Sequence, residues 1–392
     1  MDYFQPISGQ KVPIYHWDLP EYNSWTFRNI RRLFPTAEVS HGSGNESLFT
    51  KDKRNLSGLT VFDRKGQKTT IDRFLVDTFT NGFIVLYQGK IIFEQYRNDF
   101  TQQHTHLSQS VAKSLVGTLA GVLIGDGVFS EQDLIVDIVP QLNQSGYADA
   151  KVEHILNMTS GVQFTEDYFE SDPSISDVAK IDIACGWKPK HEAGRYYNSL
   201  YEIATELSKA RAHGAQFEYR SIETDVLSWV IESAANRFMP ELLSEKIWSK
   251  LGAQQDAYFV LDRSGTALAD GGFCATLRDY ARFAQMHLNN GEFDGLEIVP
   301  HDWIVACRKG DPSVFNSEPF ISQMPNGAYR NQWWIKDVNQ SIYLARGIFG
   351  QMIYIDPDRE FVAVKLSTWP QPANSDMTMD TLAVLDCLSQ AM

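Results

Sequence analysis

Hydrophobic positions change period along this chain, and the changes mark out its elements. Gly82-Phe83-Ile84-Val85-Leu86-Tyr87 and Lys90-Ile91-Ile92-Phe93-Glu94-Gln95-Tyr96 are short apolar runs on either side of Gln88-Gly89. That pattern reads as a β-hairpin closed by a tight turn. From Val111 the period lengthens: Leu115, Val116, Leu119 and Leu123 follow at helical intervals up to Gly125-Asp126-Gly127. This predicts a helix with one buried stripe. Residues 128–225 read as helices and loops without a strand pair, and 226–247 as one further helix. Another helix, over 277–288, follows the Asp270-Gly271-Gly272 turn. The end returns to short apolar runs at 341–346, 351–355 and 361–367, broken by Gly or Asp-Pro, before a closing helix over 377–388. Residues 1–75 carry little periodicity and read as a wrapping segment.

Strands near both ends with helices between them predict an α+β fold. One central, mostly antiparallel sheet is built from residues 1–105 and 226–392 and flanked by helices. A mainly helical lobe over 106–225 is inserted into it, with an active site between the two.

Composition narrows the partners. The chain has 392 residues, with 35 Lys plus Arg against 49 Asp plus Glu, a formal charge of −14. An acidic surface repels phosphate backbones and anionic lipid, so neither nucleic acid nor a membrane is expected. The first twenty residues lack a cationic stretch followed by an apolar one, and no apolar run reaches membrane length. Cys185, Cys274, Cys307 and Cys387 are scattered without paired spacing. Free thiols in a reducing compartment, and a cytoplasmic location, are the expectation. Oligomeric state is left open, a homodimer included.

Candidate chemistry begins at Ser110-Val111-Ala112-Lys113, at the start of the first apolar helix. Residues three apart share a helix face, so a hydroxyl and an amine stand side by side where backbone N–H groups favour negative charge. That suits a serine nucleophile with a lysine base. The apolar surroundings of Lys113 predict partial desolvation and a lowered pKa. Taken alone, a helix cap with a solvated lysine explains the pair more plainly.

Tyr219, in Phe217-Glu218-Tyr219-Arg220-Ser221, precedes a second apolar helix. Near a lysine ammonium its phenol pKa would fall and it could shuttle protons; a buried tyrosine capping a loop is the simpler alternative. Tyr196, in Tyr196-Tyr197-Asn198, has a similar pattern but sits among polar residues. Gly347, in Ala345-Arg346-Gly347-Ile348, lies between two terminal strands. A glycine there fits a close backbone approach to substrate, or equally an ordinary bulge.

In this order and spacing the three segments resemble the motifs of the serine β-lactamase and penicillin-binding-protein superfamily, in its class C-like branch. Asn157-Met158-Thr159-Ser160-Gly161 and Gly350-Gln351 fit the same pattern, and the resemblance spans roughly residues 80–370. It implies a β-lactamase-like fold and acyl transfer through Ser110. Lys113 would be the base, Tyr219 the proton carrier, and the N–H groups of Ser110 and Ile348 the oxyanion hole.

Glu166-Asp167-Tyr168, Cys185-Gly186-Trp187 and Gln332-Trp333-Trp334 are similar to the branch of linear-amide hydrolases and their esterase relatives. That likeness implies that Tyr168 closes over an amide, that Trp334 lines the pocket and that Gly347 lies along the substrate. Asp270 would stand where those hydrolases carry asparagine, and Asp182 near an acidic position.

Two departures argue against a dedicated β-lactamase: Ala345 replaces the third motif's lysine, and Ser221 replaces the second motif's asparagine. It is open whether Arg346 takes over the missing charge. The close pair His104 and His106 lacks a third ligand nearby, so no metal is expected. No Gly-x-Ser-x-Gly elbow or phosphate-binding glycine loop occurs, and no cofactor is expected. The expected substrate is a small linear amide, with a promiscuous carboxylesterase as the nearest alternative. A D-amino-acid peptidase, a β-lactamase or a catalytically silent binding protein follow behind.

Overall fold

The structure is a computed structural model and describes residues 12–190 and 196–392, together with a short strand, Tyr3–Phe4, paired to Val12–Pro13. Its principal strands in chain order are β1 (Thr36–Val39), β2 (Thr80–Tyr87), β3 (Lys90–Tyr96) and β4 (Thr105–Leu107). Then come β5 (Ala257–Val260), β6 (Phe273–Thr276), β7 (Ala328–Arg330) and β8 (Trp333–Ile335). The last three are β9 (Tyr343–Gly347), β10 (Gln351–Asp356) and β11 (Phe361–Ser367).

The central sheet is antiparallel and seven-stranded, in the order β7-β8-β9-β10-β11-β2-β3. The early hairpin therefore lies beside the last strand, with Leu86 opposite Val362. Its turn has positive φ at both Gln88 (50°) and Gly89 (72°), the twist that suits a two-residue hairpin. A second sheet has the order β1-β5-β6-β4.

The helices that matter here are α1 (Val111–Gly125), α2 (Val178–Ala184), α3 (Ile222–Ala235), α4 (Met239–Lys246), α5 (Leu277–Leu288) and α6 (Ser375–Gln390). Alternation along the strands sends Ile84, Leu86, Ala345, Ile353 and Val364 to the core around α1 and α5. Phe83, Val85, Leu344, Met352 and Ala363 go to the other face, under Leu382, Val384 and Leu385 of α6.

The hairpin, the terminal strands and the closing helix stand where the pattern predicts them. Between 128 and 225 the described residues hold no strand, only the isolated bridges Leu134–Lys151 and Val162–Lys209.

Three expectations are corrected. The helix expected over 226–247 starts at Ile222 and splits in two, because Asn236 turns left-handed (φ 50°) and Pro240 lacks the N–H a continuous helix needs. The 1–75 segment is more than a wrap: it holds β1, a hairpin of Thr60–Phe62 with Lys68–Thr70, and the helix Ile71–Asp77, capped by the Thr70 hydroxyl. Finally, α1 is buried all round from Val111 to Leu123 rather than along one stripe, so it is the central helix of the molecule.

Candidate active site

Ser110 precedes the first turn of α1, and Lys113 rises one turn along it. Lys113 Nζ donates to Ser110 Oγ at 3.0 Å, to Ser221 Oγ at 3.0 Å and to the Asp270 carbonyl at 2.7 Å. All three ammonium protons are thus used, deep inside the protein. The Asp270 carboxylate lies 3.6 Å from Nζ, and the Tyr219 ring centroid is 5.1 Å away. The fold therefore brings Ser110, Lys113, Tyr219 and Asp270 together from three segments.

The proton positions differ from the sequence expectation. Burial opposes the Lys113 charge, but Tyr219, Asp270 and Glu166 outweigh it and push the lysine up to about 12. Burial likewise raises the Tyr219 phenol, against the pull of Lys113. Both shifts run opposite to the lowered values that desolvation of Lys113 and its nearness to Tyr219 suggested. At neutral pH the resting site holds an ammonium and a neutral phenol.

Ser221 looked like the loss of a useful amide. In the structure it is a bridge: its Oγ accepts from Lys113 and donates to Glu166 Oε1 at 2.5 Å, while its N–H donates to Glu166 Oε2 at 2.8 Å. Tyr168 OH donates to the same Glu166 Oε1 at 2.5 Å. Burial pushes the Glu166 carboxyl above its usual range despite these donors and Lys113. Sequence reasoning did not single out Glu166, whose partner lies 55 residues away. Asp225 was missed too; buried on α3, it accepts the N–H groups of Ala269 (3.0 Å) and Asp270 (3.2 Å) and so holds the loop that carries the Lys113 acceptor.

Gly347 ends β9 against Ser110. A Cβ there would stand 2.4 Å from the Ser108 carbonyl oxygen and 3.0 Å from the Ser110 nitrogen, so the strand reaches Ser110 only as glycine. Ile348 follows, and both Ser110 and Ile348 line two adjoining cavities.

The larger cavity, about 650 Å³, has Tyr219, Trp334 and Arg346 in its wall. Trp334 stacks on Tyr219 (5.3 Å, 23°) and packs edge-on against Tyr329 at 4.9 Å. The smaller, about 290 Å³, is lined by Asp270, Asp182 on α2, and the Asp18–Lys188 pair. Burial raises the Asp182 carboxyl to about 7, with Lys188 opposing and Asp18 adding to the rise. Tyr168 lines both cavities, and Phe169 beside it is 65% exposed.

The other candidates lie elsewhere. Tyr196 sits under Lys190 and Arg263 rather than at Lys113. His104 bonds to Thr101, and buried His106, lowered to about 4 by burial, bonds to Asn81 and the Leu107 carbonyl. Among the described residues no group of His, Cys, Asp and Glu could hold a metal ion, and no helix is long and apolar enough to cross a membrane. All four cysteines are free.

The chain is similar to several known proteins in sequence and in fold. Residues 77–387 match the β-lactamase family. The 6-aminohexanoate-dimer hydrolase of Paenarthrobacter ureafaciens is 32% identical over 357 residues, 91% of this chain and 88% of that protein. A solved Bacillus anthracis protein provisionally named 6-aminohexanoate-dimer hydrolase superposes with a TM-score of 0.87 at 25% identity, over 96% of this chain and 95% of that one. EstCE1, a hydrolase with promiscuous acyltransferase activity, shares the fold at a TM-score of 0.60 and 14% identity, over 80% of this chain and 96% of its own. With the family match covering residues 77–387 and a relative 32% identical over 91% of its length, the chain belongs to the β-lactamase family of serine hydrolases.

Proposed function

We propose that this hydrolase cleaves small linear amides through an acyl-enzyme on Ser110. The observation that carries the reading is the Lys113–Ser110 contact of 3.0 Å at the junction of two cavities. The likeness to a 6-aminohexanoate-dimer hydrolase supports the substrate class.

In the form of the site that has lost one proton from the Lys113–Tyr219 pair to solvent, the hydroxyl proton enters that pair as the bond from Ser110 Oγ to the carbonyl carbon forms. Tyr219 passes a proton to the leaving nitrogen as the C–N bond breaks, so the pair keeps its proton count. The N–H groups of Ser110 and Ile348 hold the developing oxyanion. Water then attacks the acyl carbon, loses a proton to Tyr219, and Ser110 regains its own. An amine nitrogen leaves poorly unless protonated, so Tyr168 closing over the site matters more for amides than for esters. The acidic cavity holding Asp182 and Asp270 suits an ammonium on the acyl side of the substrate.

The test compares wild type, Ser110→Ala and Tyr168→Phe on 6-aminohexanoate dimer and p-nitrophenyl butyrate. Ser110→Ala is expected to abolish both activities, and Tyr168→Phe to depress amide turnover at least tenfold more than ester turnover. Equal ester turnover by wild type and Ser110→Ala would remove the nucleophile assignment. Ester turnover that depends on Ser110, without any amide turnover, would make the protein a carboxylesterase.

A further inference from the structure

The smaller cavity takes part of its wall from the N-terminal segment, upstream of the residues 77–387 that match the family. Trp17 is buried there, with ring centroids 4.8 Å from Trp187 and 5.4 Å from Phe27, and its carbonyl accepts the Thr26 hydroxyl at 2.7 Å. The residues that follow the two tryptophans also pair. Lys188 Nζ donates to both carboxylate oxygens of Asp18, each at 2.9 Å. The indole contact thus sets the register that delivers Asp18 to Lys188. Both side chains are largely withdrawn from water, 25% and 22% exposed, so the two-point grip is screened less than a surface pair.

Lys188 has a second carboxylate within reach. Its backbone N–H donates to the Asp182 carbonyl at 3.3 Å, just past the end of α2, so its stem starts beside Asp182. Of the charges acting on the Asp182 carboxyl, Lys188 is the strongest, followed by Asp18, Asp270 and Glu166. Yet among the described residues Lys188 pairs with Asp18, and no cation pairs with Asp182. The other acids of the wall are engaged: Asp270 lies 3.6 Å from Lys113 Nζ, and Glu170 accepts the Asp172 N–H at 2.8 Å. Asp18, Asp182 and Lys188 therefore set two carboxyl groups against one ammonium, and Asp182 is left facing the cavity. Held at about 7, it ionises fully only when a further cation arrives beside it.

We propose that Asp18 is a positioning residue for this cavity: by holding Lys188 it keeps that lysine off Asp182 and leaves the Asp182 carboxylate to a cationic acyl chain. The acyl-side assignment of the cavity rests on the proposed function. Without Asp18, the released ammonium closes on Asp182 and excludes the substrate's ammonium by occupation and like charge. The N-terminal segment thereby sets the charge selectivity of a site whose Ser110, Lys113 and Tyr219 all come from later in the chain.

The test reads the ratio of kcat/KM for the p-nitrophenyl esters of 6-aminohexanoic and heptanoic acids, which carry an ammonium and a methyl group at the same chain position. A ratio taken within one protein cancels any general loss of activity. Wild type is expected to favour the 6-aminohexanoyl ester by about tenfold or more, the worth of a charge-assisted hydrogen bond. Asp18→Asn is expected to abolish that preference, and Asp18→Asn/Lys188→Gln to restore it, because the competing ammonium is gone. A preference that survives Asp18→Asn overturns the proposal. So does a preference lost in Asp18→Asn that the second substitution fails to recover, since the loss then does not run through Lys188. Asp182→Asn separates this proposal from the reading beneath it. If wild type shows no preference, or Asp182→Asn keeps it, the ammonium reading of the cavity fails and the role of Asp18 falls with it. If Asp182→Asn abolishes the preference while Asp18→Asn does not, the role of Asp18 alone fails.

Discussion

Lys113, pushed up to about 12, is an ammonium at pH 7, so in the proposed mechanism its base form arises only transiently during reaction. The same charges that suppress the amine also hold Nζ on Ser110, Ser221 and Asp270, and orientation is gained where basicity is lost. Asp270→Asn removes the carboxylate 3.6 Å from Nζ while keeping the backbone carbonyl that binds it. Burial then meets less opposition and the Lys113 pKa falls. Because the proposed mechanism runs through the deprotonated form, the acid limb of the kcat/KM profile for p-nitrophenyl butyrate is expected to move down by about one pH unit or more. A pH-rate series on both proteins checks this, and an unmoved or upward-moved limb would show that Lys113 does not govern it.

The central helix shows how an element can be shaped by its neighbours more than by its own propensity. Glycines at 117, 121 and 125 recur every four residues along α1, and the chain packs tightly over them. A Cβ on Gly121 would sit 2.3 Å from the Trp303 indole ring. Alanine improves helix propensity by about 1 kcal/mol, but overpacking a close-packed site costs about 1–3 kcal/mol. Gly121→Ala is therefore expected to lower the melting temperature despite the better helix former. Calorimetry decides it: a rise would mean that Trp303 yields without strain. The close packing also fixes α1 lengthwise, and with it the height of Ser110 against Gly347.

Because the central sheet takes strands from both ends of the chain, its stability belongs to the molecule as a whole. Helix α6, the last element, covers Phe83, Val85 and Ala363 with Leu382, Val384, Leu385 and Leu388. Four such side chains contribute about 6–12 kcal/mol of burial, comparable to the roughly 5–15 kcal/mol that holds a whole domain together. Deleting residues 375–392 is thus expected to remove the cooperative thermal transition altogether, rather than trim the end. A truncated protein that still melts sharply and labels with a fluorophosphonate would show that the sheet stands without its cover.

Much of this protein is legible in local patterns. The hairpin at Gln88-Gly89, the terminal strands and the Ser110–Lys113 spacing depend on periods of two and three or four residues, which neighbours in the chain set among themselves. The order of the motifs also pointed to the family. Strands β1 and β4 to β8 escaped because three or four residues are too few to display alternation. The protonation of Lys113 escaped because it depends on Asp270 and Glu166, remote in sequence and close in space, and electrostatic energy follows distance through space. For the same reason Ser221 became a bridge to Glu166 only once the chain had folded. Arg346 faces the side of the sheet opposite Ala345, the position of the third motif's lysine, because strand pleating, not composition, assigns a side chain to a face. Residue order along the chain thus set the Ser110–Lys113 pair and the elements that carry it, while folding set the charges around that pair and the two cavities beside it.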